Sequence, residues 1–235
     1  MSFLWKSSIG RKLVMSVTGI CFILFLLFHM AMNLVSIFSP AMYNNVICTT
    51  LGANWYALIA TGVLAAGFFI HILYAFYLTL QNRKARGVER YAAGQKNPGY
   101  VTWASKNMLV LGLIVLGGLL IHLFNFWAKM QLVEVLGGHE NSLGFHPTNG
   151  AALILYTFSN IVYVIIYLIW LGALWFHMAH GFWSALQTIG WTNTVWLSRV
   201  KCLSTILATI ICLGFAAVVV FYFAVSLGCG GACGL

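Results

Sequence analysis

The chain has 235 residues, 62% of them hydrophobic and only 6% charged, with no Asp and three Glu among them. Soluble domains carry about a quarter charged residues, so water is excluded as the solvent for most of this chain and lipid takes its place. The net charge of +9 does not indicate nucleic acid, because the basic residues gather in short gaps between apolar stretches. That is a topology pattern, not a binding surface.

The opening segment, "MSFLWKSSIGRKLVMS", sets basic residues ahead of a long apolar run. The run is too long for a secretory signal and ends without a small-residue cleavage site. It predicts a first transmembrane helix that is retained. Crossing a bilayer takes about 20 apolar residues, and five segments meet that length, near 13–37, 55–81, 105–129, 151–187 and 202–227. The fourth is long enough to protrude. No Pro/Gly/Ser linker divides the chain and no repeat is visible beyond the spans themselves. The expectation is one all-α membrane domain over 1–235, with five transmembrane helices and the first four bundled together.

The gaps orient the spans. Lys6, Arg11 and Lys12 precede the first; Arg83, Lys84, Arg86, Arg90, Lys96 and Lys106 fill the gap between the second and third; Arg199 and Lys201 separate the fourth from the fifth. Only Lys129 falls on the opposite side, so eleven of twelve basic residues share one face. The positive-inside rule makes that face, and the N-terminus with it, cytoplasmic.

The six cysteines make no zinc or disulfide framework. Cys21, Cys202 and Cys212 lie in or beside apolar spans and read as packing residues. Cys229 and Cys233 sit in a glycine-rich tail, read as loose, with a disulfide on an oxidising face as the alternative. No C-x-x-C-H occurs, so any haem would be held without thioether links.

Five of seven histidines fall within the spans: His29, His71, His122, His177 and His180. Ionisable groups inside membranes are costly and rare, so each is a functional candidate. A single one is as readily a hydrogen bond between helices; one on each of four consecutive spans is hard to explain that way. His29 lies 17 residues past Lys12 and His122 lies 16 past Lys106, both roughly 25 Å from the basic face. His71 is 12 residues before Arg83, roughly 18 Å, and His177 is 10 before Gln187, where its span is expected to end.

The histidines therefore sort into an outer pair, His29 with His122, and an inner pair, His71 with His177. Two imidazoles facing each other across an apolar bundle are what a six-coordinate b-type haem requires. Two pairs at two depths predict two stacked haems. Zinc wants four converging ligands, and copper has no cysteine or methionine tied to each pair. Between the near neighbours His177 and His180, Gly181 one turn beyond His177 on the same face would admit a flat ring. His177 is thus the expected ligand and His180 a donor to a propionate or backbone carbonyl; the exchange of roles stays open.

The segments "VTGICFILFLLFHM", "FFIHILYAFYLTLQNRKAR", "GGLLIHLFNFW" and "FHMAHGFWSALQTIGW" resemble, in order, the four haem-bearing spans of the single-chain, di-haem cytochrome b subunit of succinate dehydrogenase and fumarate reductase. The likeness covers nearly the whole chain. Its most specific pieces are Thr18-Gly19, the glycine ten residues before His29, and the H-x-x-x-G-[FL]-[WY] run that starts at His177. The resemblance implies a bacterial cytoplasmic-membrane anchor for a flavoprotein (FAD) and an iron–sulfur protein on the cytoplasmic face. It also implies two haem b, electron exchange with a membrane quinone such as menaquinone, and the same four ligands. Ser16 matches a serine at an inner-haem propionate. The chain alone would be a subunit, not a complete enzyme, and homodimerisation of the complex stays open.

The chain departs from the family twice. Some relatives carry a glutamate two residues before the last ligand, where Trp175 stands here, and one in the first outer loop, where "SPAMYNNVICTTLGANWY" has no acid. Their proton arrangements do not transfer. His139, Glu140 and His146 are either a proton relay for quinone at the outer face or ordinary loop residues. Two other identities remain: a di-haem anchor of formate dehydrogenase or hydrogenase type, and a haem-free histidine-relay transporter.

Overall fold

The computed structural model describes residues 7–86 and 103–228. Lys6, Arg90, Lys96 and the Cys229/Cys233 pair lie outside the described residues. Five helices within them are long and apolar enough to cross a membrane: α1 (Ser8–Phe38), α2 (Trp55–Arg86), α3 (Met108–Asn125), α4 (Ile161–Thr188) and α5 (Trp196–Gly228). The chain is a helical, multi-pass membrane protein.

The helix ends follow local chemistry. Ser7 caps α1, its hydroxyl accepting from Gly10 N–H at 2.9 Å. Pro40 stops α1, since the residue before a proline is pushed out of the helical region, and Ser39 is indeed extended (φ −153°, ψ 97°). A π-helical stretch, Tyr43–Gly52, then turns the chain. Asn44 pins it to the start of the helix Gly150–Phe158, donating to Asn149 Oδ1 at 2.8 Å and accepting from Ala151 N–H at 3.0 Å.

The expected fourth span, 151–187, is not one helix. It is broken at Ser159 and Asn160 into Gly150–Phe158 and α4. Asn160 is extended (ψ 114°), and its side chain takes the Val162 N–H at 2.9 Å, so a polar side chain that competes with the helical ladder starts a new helix instead. The third span is shorter than expected: α3 ends at Asn125 and a 3₁₀ turn, Trp127–Lys129, follows it. The fifth begins six residues early, where Asn193 Oδ1 accepts from Val195 and Trp196 N–H.

Helix α4 is the hub, packed against α1, α3 and α5, whereas α2 leans chiefly on α1. No residue in the most apolar stretch of α2 is buried. Lipid gives no hydrophobic drive for helices to associate, so close approach and interhelical hydrogen bonds do the joining. Ser204 donates to Ala179 O at 2.6 Å, Trp175 to Thr209 at 2.9 Å, Tyr222 to Ser36 O at 3.1 Å and Trp170 to Val115 O at 3.0 Å. Each such bond contributes about 0.6 kcal/mol, so the set matters more than any member.

Small residues set the distances. A Cβ on Gly118 of α3 would fall 2.1 Å from Trp170 Cδ1, and one on Gly214 of α5 would fall 2.4 Å from Met30 Sδ. Gly117, next door, has open space beside it. Replacing Gly118 by Ala should therefore lower stability by about 1–3 kcal/mol, the usual cost of overpacking. Gly117→Ala should be neutral or slightly stabilising. Thermal unfolding of both variants in detergent checks the contrast; equal midpoints would contradict this packing.

Candidate haem site

Of the pairs predicted from depth, His29 and His122 are brought into ring contact. The rings of His29 (α1) and His122 (α3) lie 5.9 Å apart, centre to centre, at 83° to each other. A metal–imidazole bond is about 2 Å, which sets two ring centres roughly 6 Å apart across one metal ion. Aromatic side chains line the pair: Phe25 is stacked on His29 at 5.3 Å with Phe215 at 5.6 Å, and His122 has Phe126, Trp170 and Tyr167 at 5.2, 5.8 and 6.4 Å. Trp170 reaches His122 because Gly118 leaves room for its indole.

His71 on α2 and His177 on α4 form the second group, His71 against Thr18 and Gly19 of α1 and His177 against Gly112 of α3. Thr18 Oγ1 lies 2.8 Å from His71 Nδ1. A Cβ on Gly19 would stand 3.7 Å from His71 Cε1, and one on Gly112 would stand 3.6 Å from His177 Cε1. His177 Nδ1 is buried without a hydrogen-bond partner, an expensive state for a ring nitrogen.

Those two glycines fix the separation of the levels. On α1, Gly19 beside His71 precedes His29 by ten residues; on α3, Gly112 beside His177 precedes His122 by ten. Ten residues of helix rise roughly 15 Å. Two helices thus give the same spacing independently. The His71/His177 level is the one nearer Lys12 and Lys106.

The other expected residues are placed as follows. His180 sits edge-on to Trp183 at 4.9 Å, and Lys201 Nζ lies 4.7 Å above that indole. A Cβ on Gly181 would meet Met108 Cε at 3.8 Å, ordinary contact, so the glycines against the imidazoles are Gly19 and Gly112. Ser16 is buried and donates to Lys12 O at 2.9 Å within its own helix. Arg11 stacks on Tyr77, its guanidinium 5.1 Å from the ring centre, and reaches the phenol oxygen at 3.4 Å. Trp175, where relatives of the resembled family carry a glutamate, is tied to α5 through Thr209.

His139, Glu140 and His146 are all exposed in the connection that follows the short helix Gln131–Val135. His146 pairs with Thr148 at 2.8 Å. Beside them is a residue that motif reasoning passed over: half-buried Glu134, whose carboxyl burial pushes up while His146 pulls it part of the way back down. Further in, burial pushes the Cys48 thiol up to about 11, and the buried Tyr43 phenol donates to Asn33 Oδ1 at 3.2 Å. Asn33, one turn beyond His29, places its amide nitrogen 3.4 Å from His29 Nδ1 and donates to His29 O at 2.8 Å. The i, i+4 spacing of His29 and Asn33 was the available signal. Nothing local marks Glu134 except that it is one of three acids.

Among the described residues no three His, Cys, Asp or Glu side chains converge. The imidazoles are therefore two-ligand sets, which suits a group that brings its own equatorial donors. The 5.9 Å separation of the His29 and His122 rings fits two imidazoles on one haem iron. No protein-family model, curated protein or solved structure matches the chain.

An infrared titration of the carboxyl band lost in Glu134→Gln should place Glu134 above the ordinary glutamate range of about 4.3. Charged His146 favours the carboxylate, so His146→Ala should move the titration further up. A downward move would contradict the arrangement.

Proposed function

We propose that the chain is the di-haem cytochrome b membrane anchor of a succinate:quinone or quinol:fumarate oxidoreductase, set in a bacterial cytoplasmic membrane with its N-terminus inside. The observation that carries this is the ring contact of His29 with His122, together with His71 against Gly19 and His177 against Gly112, each glycine ten residues earlier on α1 and α3. The narrower identity, with its flavoprotein and iron–sulfur partners, rests on the ordered motifs around Thr18-Gly19 and His177.

Haem, when bound, supplies reversible one-electron carriage. The chain's own residues do the rest. Paired imidazoles, His29 with His122 and His71 with His177, would hold the iron. Phe25, Phe126, Trp170, Tyr167 and Phe215 keep water from the outer pair and lower the local dielectric, a lever on potential. A group held between His71 and His177 would tie α2 to α4, and α2 is the helix with least burial of its own. Basic residues at the inner face neutralise acidic groups of a cofactor or of a docked subunit. With haem bound, the two histidine levels would hold one-electron carriers at two depths for exchange with a membrane quinone.

His71→Ala or His177→Ala should remove one haem and leave the other partly bound, and His29→Ala and His122→Ala should remove the complementary one. Pyridine haemochrome analysis reads the count. Two haems retained in any of the four variants would overturn the ligand assignment. Co-purification of a flavin-bearing subunit with a small iron–sulfur protein tests the narrower identity; an anchor of another quinone-linked oxidoreductase would bring different partners.

A further inference from the structure

The two imidazoles of the inner pair are not alike, and the difference comes from one hydroxyl. Thr18 Oγ1 lies 2.8 Å from His71 Nδ1, and it also lies 2.9 Å from Val14 O and 3.1 Å from Met15 O. A hydroxyl has one proton to give and two lone pairs to accept with. Both carbonyls are acceptors only, and a proton given to His71 instead would leave the oxygen facing them with no hydrogen between. A ring bound to iron through Nε2 carries its remaining proton on Nδ1, and the Thr18 oxygen beside it then accepts.

We infer that Thr18 is a positioning residue that fixes the tautomer and orientation of His71 and sets the potential of the haem it holds. The inference rests on the haem assignment made above. A ligating imidazole that donates its other N–H becomes a more basic ligand, and such partners tune the metal. Greater basicity favours the oxidised iron and lowers the potential. Across the site, His177 Nδ1 has no hydrogen-bond partner, so this pair has only one tuned ring. At the outer pair, the Asn33 amide nitrogen stands 3.4 Å from His29 Nδ1, too long to count for much. Thr18 and His29 share one face of α1, eleven residues or roughly three turns apart, so a change at Thr18 acts on one level and spares the other.

The test is a redox titration of the intact complex carrying Thr18→Val or Thr18→Ser, with haem content measured in parallel. His71→Ala first identifies which spectral component belongs to the inner pair. Thr18→Val keeps the branched shape and cannot accept a hydrogen bond; it should raise the midpoint potential of the inner haem and leave the outer one unmoved. Thr18→Ser should restore the native potential. Loss of the inner haem in Thr18→Val alone, with retention in Thr18→Ser, also supports the role. Unchanged potentials with both haems present in Thr18→Val would overturn the inference while leaving the haem assignment intact. Equal shifts of both haems, or the same behaviour in the serine and valine variants, would overturn it too. A native complex without haem would overturn the assignment itself.

Discussion

The structure depends on keeping polar imidazoles in a bundle that offers them almost nothing but hydrocarbon. A full charge at the bilayer centre costs about 3 kcal/mol or more by insertion scales, so the rings are accommodated as neutral donors or acceptors, and each nitrogen then needs a partner. Protein supplies some of these: Thr18 for His71 and Asn33, at longer range, for His29. It supplies none for Nδ1 of His177. The proposed haems would take the other ring nitrogen, Nε2, from either side, and His177 Nδ1 stays without a partner.

Packing around the rings serves the same end. Gly118 is a glycine because Trp170 lies across it, and Trp170 lies there in contact range of His122. Gly19 and Gly112 leave the edges of His71 and His177 uncrowded. Helix α4 carries His177 and packs against α1, α3 and α5. Helix α2 is the exception: it packs chiefly on α1, shares the His71–Thr18 hydrogen bond, and has no buried residue in its most apolar stretch. The uneven burial marks the inner level as the place where a bound group would add most to the fold.

Much of this was legible in the sequence because hydropathy and charge act over whole segments. Runs of about 20 apolar residues next to basic ones admit few alternatives, and depth counted from Lys12 and Lys106 pairs His29 with His122 without any structure. What was not legible is local or spatial. The break at Ser159 and Asn160 depends on one side chain outcompeting a backbone bond within an otherwise apolar run. Gly181 was chosen as the open face because it follows His177 by one turn, whereas the nearby glycine is Gly112, on another helix. Glu134 has no motif; only folding brings it beside His146 and Cys48. Thr18 was visible as part of a pattern, but its bond to His71 joins two helices 53 residues apart.

The most direct test of the central claim is the haem stoichiometry of the complex purified from native membranes, read from its reduced-minus-oxidised spectrum against the amount of this chain. The account predicts two b-type haems per chain, reduced in two separable steps. A colourless complex, or one haem per chain with all four histidines intact, would contradict it.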